Sequence, residues 1–360
     1  MAKIDQLLVK AAEIGASDVH ISVNNPPMFR YLGDLRKFKT QAFSADITKS
    51  LLYEILTANM LKQFESNMQL DFCYEIKGVA RFRTNIFYQR QGIDGSFRIV
   101  PLKIPKLNDL GLPPVTTKIL EQHQGIILLT GSTGHGKSTT LAAMIDYLNE
   151  HRPHHILTVE DPIEFVHLTD RKGVVNQREI GSNTLSFSNA LKGALREDPD
   201  IIVIGELRDP ETISLALTAA ETGHLVIGTM STSNSQKTID RIIDSFPPEQ
   251  QNQVRTMLAD SIQGIITQRL IKNKDGTRRC LATEVLIGTM PIATLIRDNK
   301  TFQIPSMMQT GQKIGMQSLD ESIMGLLNKG QISPEAALVN AINKKLFQPV
   351  SKVKDMTNTR

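Results

Sequence analysis

At 360 residues the chain exceeds what one compact core commonly holds, and 40% apolar with 22% charged residues is the composition of an ordinary globular protein, so two domains are predicted. Its 41 basic and 37 acidic residues (net +4) are interspersed, and 5% aromatic residues without Trp give neither the basic stripe nor the stacking platforms of a nucleic-acid binder. Two distant cysteines, Cys73 and Cys280, exclude a disulfide framework and a four-cysteine zinc site.

The opening MAKIDQLLVKAAEIGA has apolar positions at helical spacing, broken by Asp5, Lys10 and Glu13, and predicts an amphipathic helix rather than a secretory signal. No apolar run approaches the roughly 18 residues of a spanning helix. A cytoplasmic chain is therefore expected, one that reaches a membrane only through a partner. Further on, VHISV (19–23), DFCYEI (71–76), RFRTNIFYQR (81–90) and GSFRIV (95–100) alternate apolar with polar residues, as half-buried strands do. Residues 45–66 have helical periodicity, so 1–102 reads as a small α+β domain. Four prolines within PLKIPKLNDLGLPPV (101–115) stop helix and ladder alike and predict a linker over 103–114.

Beyond it the pattern changes. GIILLT (125–130), HILTV (155–159), IIVIG (201–205) and LVIGTM (225–230) are apolar runs without alternation, interleaved with helical segments. Strands buried on both faces read this way, which predicts an α/β core with a parallel sheet over 115–290. A mostly helical part follows over 291–360, where Ser333 as N-cap and Pro334 at the first helical position mark one start.

The segment GSTGHGKST (131–139) fits the phosphate-loop pattern, with an apolar run before it and a helical stretch after it. Gly131, Gly134 and Gly136 let the backbone N–H groups turn toward phosphate oxygens, with Ser132, Thr133, His135 and Thr139 completing the loop. Lys137 supplies a charge to the terminal phosphates and Ser138 a hydroxyl for Mg²⁺, so ATP and Mg²⁺ are the expected cofactors. His135, at a variable position, is expected to face solvent. Two acidic clusters end strand-like runs: Glu160, Asp161 and Glu164 in LTVEDPIE, and Glu206 in DPDIIVIGELRD. Glycine (Gly205) stands where phosphate-loop enzymes commonly carry an Mg²⁺-linked aspartate, leaving the metal side to Glu206, with Glu160 in support. His224 begins another apolar run, and Ser231 lies seven residues on. The histidines of HRPHH (151–155) read as loop residues, since zinc needs three or four ligands.

Taken together, these stretches resemble the secretion-type ATPases, and among them the PilT-type twitching-motility ATPases that retract type IV pili. The resemblance runs nearly end to end, through GASDVHISV, GVARFRTNIFYQR, ILTVEDPIEFVH, VVNQREIG, ALREDPDIIVIGELRDPETI, LALTAAETGH and IGMQSLDESI. It implies a PAS-like N-terminal domain, a RecA-like ATPase core, a homohexamer and ATP hydrolysis. It also implies an inner-membrane pilus platform protein as partner at the cytoplasmic face, and in some systems a paralogous retraction ATPase. By the same resemblance Glu164 is the general base and Glu206 the Walker B glutamate. His224 is the first histidine of the His box, and Arg81, Arg83 and Arg98 reach the nucleotide. Two departures stand out. Ser231 occupies the place of the second histidine, behind Met230 where leucine is common, and PIATLIRD (291–298) replaces a motif close to AIRNLIRE. They leave open a primary motor or an accessory PilU-type paralogue. A pilus assembly ATPase fits less well, because its four-cysteine zinc insertion has no counterpart here, and a nucleic-acid translocase would want a basic channel.

Overall fold

The computed structural model describes residues 2–167 and 170–348, which divide into two compact units. One holds the chain up to Ile104 together with Pro162–Val166. The other holds Pro105–Asp161 and the described residues from His167 onward.

The N-terminal unit runs α1 (Asp5–Glu13), β1 (Asp18–Ile21), β2 (Met28–Tyr31), β3 (Asp34–Lys37), α2 (Ala45–Tyr53), α3 (Ala58–Asn67), β4 (Gln69–Ile76), β5 (Ala80–Gln89) and β6 (Gly92–Pro101). Its strands form one antiparallel sheet in the order β3-β2-β1-β6-β5-β4. The alternation read from the sequence is visible in β5: Phe82, Thr84 and Ile86 are buried while Arg81, Arg83 and Asn85 point away from the core. Leu8, Leu52, Phe64, Phe82 and Phe97 pack together as that core. Residues 45–66, read as helical, form two helices. Helix α2 stops at Glu54, and the Thr57 hydroxyl accepts the Met60 N–H to start α3 afresh. Strands β2 and β3 carry no sequence signal, because four residues that are half-buried or exposed throughout show no period.

In the C-terminal unit a 3-10 turn (Leu107–Leu110) and α4 (Val115–Leu120) precede the sheet, so residues 105–114, expected as linker, belong to this unit and bury Leu107. There follow β7 (Gly125–Thr130), α5 (Lys137–His151), β8 (His155–Glu160), β9 (Val174–Glu179), α6 (Phe187–Ala194), β10 (Ile201–Ile204), α7 (Pro210–Glu221) and β11 (Leu225–Met230). After them come α8 (Ser235–Asp244), α9 (Pro248–Ser261), β12 (Ile262–Lys272), β13 (Arg279–Ile287), α10 (Met290–Arg297), α11 (Ile304–Thr310), α12 (Leu319–Asn328) and α13 (Pro334–Asn340). The strand order is β13-β12-β7-β11-β10-β8-β9, parallel throughout except for the β12–β13 hairpin. Every residue of β7, β10 and β11 is buried, as the unalternating apolar runs predict. Ile126, Leu128, Leu157, Val159, Ile202 and Ile204 share one core with side chains of α6, α7, α8 and α9. A second cluster joins Ile271, Cys280 and Ala282 of the hairpin to Leu319, Ile323 and Ala337 of α12 and α13.

Because the central strands are parallel and in register (Thr130 beside Met230, Ile204 beside Val159), their carboxyl ends lie along one edge of the sheet. Open parallel sheets bind ligands at that edge. The phosphate loop, Glu160, Glu206 and Ser231 all follow it.

Candidate nucleotide site

Gly131, Gly134 and Gly136 have φ of +142°, +80° and +86°, values that L side chains rarely adopt. At Gly131 a Cβ would also lie 2.6 Å from the Gln268 carbonyl oxygen of β12, so both conformation and space demand glycine. The loop is fixed from beneath by buried polar pairs. Thr130 Oγ1 and Thr267 Oγ1 are 2.7 Å apart, and Gln268 Nε2 donates to Thr140 Oγ1 at 2.8 Å. The fifteen-residue helix α5 starts at Lys137 with no side-chain cap, leaving first-turn N–H groups and the positive helix end for an anion. Lys137 Nζ donates to the Gly131 and Ser132 carbonyls at 2.6 and 3.3 Å, which puts the ammonium inside the loop.

Gly205 is explained by crowding. Its N–H donates to the Val159 carbonyl at 2.8 Å, and a Cβ there would meet that oxygen at 3.1 Å and Glu160 Cα at 3.2 Å. A side chain there would press on the β8 backbone, and the carboxylate stands one residue later. Glu206 Oε2 accepts from Arg208 Nη2 at 2.5 Å and Oε1 from the Ser231 hydroxyl at 3.2 Å. Burial pushes its pKa up, but the hydrogen bonds from Arg208 and Ser231 and the charges of Arg208 and Lys137 outweigh it and hold the carboxyl below its usual range. Glu206 is thus kept ionised beside the phosphate loop. The serine that stands for the family's second histidine contacts this carboxylate directly, a link the sequence did not reveal. Ser231→Ala is expected to lower kcat about fivefold with KM unchanged, the worth of one ordinary hydrogen bond. Steady-state kinetics check it, and an unchanged kcat removes the serine from the site's workings.

The acidic box splits. Glu160, the last residue of β8, accepts from Thr158 Oγ1 (2.8 Å) and Gln177 Nε2 (3.0 Å), so its Oε1 is engaged within the sheet. Asp161 adds negative charge near Arg208. Pro162 follows beyond the strand end, and Glu164 belongs to the N-terminal unit, where its Oε1 lies 3.6 Å from Arg83 Nη1.

Arg81 and Arg83 share one face of β5, and Arg83 stands opposite Arg98 on β6. Arg98 Nε donates to Asp18 at 3.0 Å, and Arg30 is 4.0 Å from the same carboxylate. Arg81 is the least free of the three. Its side chain is 13% exposed and sits 3.8 Å from Glu75, and its Nε and Nη1 are buried without a hydrogen-bond partner.

Two expectations are corrected. His224 precedes β11, at the amino ends of the strands, whereas the phosphate loop follows their carboxyl ends. Six strand residues separate the two levels, about 20 Å at 3.3 Å per residue. Within one subunit His224 therefore does not meet the nucleotide. Its Nδ1 lies 3.1 Å from the Ala219 carbonyl, and its own carbonyl accepts the Gly125 N–H, which ties α7 to β7. His135 is not solvent-facing either: it is half-buried, and its Nδ1 accepts the Leu270 N–H at 2.9 Å. Sequence reasoning passed over Arg208, Gln177 and Gln268. Arg208 had a signal, a cation two residues past a strand-end glutamate, while the glutamines are placed only by strand pairing.

The family model described as "Type II/IV secretion system protein" matches residues 1–311. The type IV pilus retraction ATPase PilT of Pseudomonas aeruginosa is 51% identical over 334 residues, covering 93% of this chain and 96% of that protein. PilU, a type IV pilus ATPase of the same organism, is 35% identical over 340 residues, covering 94% and 88%. Among solved structures, the pilus retraction motor PilT with bound ADP superposes with a TM-score of 0.86 at 44% identity, covering 96% and 98% of the two chains. The Legionella pneumophila ATPase DotB follows at 0.81 and 30% identity, covering 93% and 94%. With a RecA-like core, a phosphate loop on its sheet edge and relatives matched over nearly their whole length, the chain belongs to the type II/IV secretion system protein family and, within it, to the PilT-type pilus retraction ATPases.

Proposed function

We propose that this chain hydrolyses ATP to drive retraction of a type IV pilus, working as a homohexamer on an inner-membrane platform protein at the cytoplasmic face. The observation that carries the reading is the convergence of the phosphate loop, an ionised Glu206 and Ser231 on one sheet edge, together with 51% identity to a named retraction ATPase. Among the described residues no helix is long and apolar enough to cross a membrane.

The loop N–H groups, the α5 terminus and Lys137 bind the phosphates. The donor set suits Mg²⁺, a hard cation that takes oxygen ligands and one or two carboxylates beside substrate phosphates. Ser138 and Glu206 would hold it, with Glu160 behind, and the ion would neutralise charge on the transferring phosphoryl group. Arg208 and Ser231 keep Glu206 ionised and oriented. Glu164 orients and deprotonates the attacking water, and Arg81, Arg83 and Arg98 from a neighbouring subunit's N-terminal unit offset charge on the phosphates, with Arg83 and Arg98 the freer pair. Cycles of this site then move the two units of each subunit and pull on the platform.

Deleting the gene should leave cells with surplus surface pili and no twitching, read by counting pili and scoring colony spread. Bald cells would mean an assembly ATPase instead. Ser231 favours one second reading, an accessory PilU-type subunit, and normal piliation and motility after deletion would establish that.

A further inference from the structure

His135 occupies a place in the phosphate loop where the motif sets no residue type, and the structure gives it a partner. Strand β7 ends at Thr130, and its ladder with β12 ends at Thr267. Beyond Thr267, β12 continues to Lys272 with β13 on one side and no strand on the other. The His135 imidazole fills that side, its Nδ1 accepting the Leu270 N–H at 2.9 Å as a neighbouring strand's carbonyl would. Two other approaches fall on the same hairpin: Gly131 against the Gln268 carbonyl, and Arg279 Nη1 donating to the Gly134 carbonyl at 3.4 Å. The loop is thus laid along the β12–β13 hairpin, and His135 contributes a part-buried hydrogen bond there from a side chain of the loop.

We propose that His135 is a positioning residue that clamps the phosphate loop in its nucleotide-binding shape through a neutral imidazole bonded to Leu270. This rests on the reading of the loop as a nucleotide site. An acceptor at Nδ1 requires the neutral ring with its proton on Nε2, and an imidazolium has no acceptor to offer. The surroundings hold the ring neutral. Burial lowers its pKa from 6.5, and the cations that face it lower it further: Arg269 of β12, Lys137 at the start of α5 and Arg279 of β13. A positively charged His135 would both lose its partner and repel those three.

The test uses the full chain and ADP with Mg²⁺, titrated by calorimetry from pH 8 to pH 5. His135→Leu should weaken ADP about fivefold at pH 8, the worth of one hydrogen bond, and raise KM for ATP more than it lowers kcat. It should also raise amide hydrogen exchange in the peptide containing Leu270, measured without nucleotide. His135→Asn, whose amide oxygen can take the same N–H, should restore affinity and protection. Below pH 6.5 the wild type should lose affinity more steeply than His135→Asn, because only the imidazole titrates away its acceptor. If the Leu variant binds ADP and protects Leu270 as the wild type does, or if wild type and Asn variant share one pH profile, the clamp is wrong. A wild type that binds no ADP at any pH while Leu270 protection still depends on residue 135 would overturn the nucleotide reading instead.

Discussion

Glu206→Gln is expected to lower kcat for ATP hydrolysis by about 10²–10³ while ATP and ADP still bind, the range for removing one preorganised electrostatic partner of a transition state. The amide has the shape of the carboxylate and can accept from Ser231, so geometry is largely kept and only charge is lost. Phosphate affinity belongs to the loop backbone, Lys137 and the α5 terminus, all of which the substitution leaves in place. The pH dependence follows from the same contacts. With its pKa held below 4.5 by Arg208 and Ser231, Glu206 contributes stability that is present above its unfolded pKa and lost as pH falls through the lower folded one. Glu206 therefore keeps its charge as pH falls below neutrality, and the loop group expected to change state on acidification is His135, whose pKa burial and the charges of Arg269, Lys137 and Arg279 lower from 6.5. Single-turnover rates beside equilibrium ATP binding check the prediction. A Gln variant that turns over at the wild-type rate would show that the carboxylate does not face the reacting phosphates.

The parts of this molecule legible in its sequence are those where one local rule decides the outcome. Apolar runs without alternation reported β7, β10 and β11 because burial on both faces leaves no other composition. Alternation reported β5 because one face alone is buried. The phosphate loop was readable because positive φ and close backbone approach admit only glycine at fixed spacing. Where position depends on which strands become neighbours, the sequence is silent. Ser231 and Glu206 stand 25 residues apart and meet because β10 and β11 are adjacent and parallel. His135 meets Leu270 across 135 residues because β7 stops short beside β12. His224 is the converse case. The family resemblance placed it with the catalytic residues, and strand direction places it at the other end of the sheet.

Glu164→Gln should lower kcat by about 10³ with ATP still bound, within the 10²–10⁴ that a positioned base contributes. The ion pair with Arg83, 3.6 Å apart and with side chains 21% and 40% exposed, supplies the competing explanation. If holding Arg83 were the whole of Glu164's role, substitution would forfeit only a partly exposed pair, about 0.2–1 kcal/mol. That loss would appear in Tm and leave kcat nearly unchanged. The two roles also differ in what Arg83→Ala does. As a base, Glu164 is released by that change, yet a charge that offsets the phosphates disappears, so kcat falls while Tm barely moves. As a mere partner, Glu164 is lost with a small Tm drop and full turnover in Glu164→Gln, while Arg83→Ala and the double variant lose kcat equally through the missing phosphate charge. Thermal melts and phosphate-release assays on the three variants separate these outcomes. A kcat within a factor of two of wild type in Glu164→Gln would take the base away from this residue and leave water activation at the sheet edge to Glu160 or Glu206.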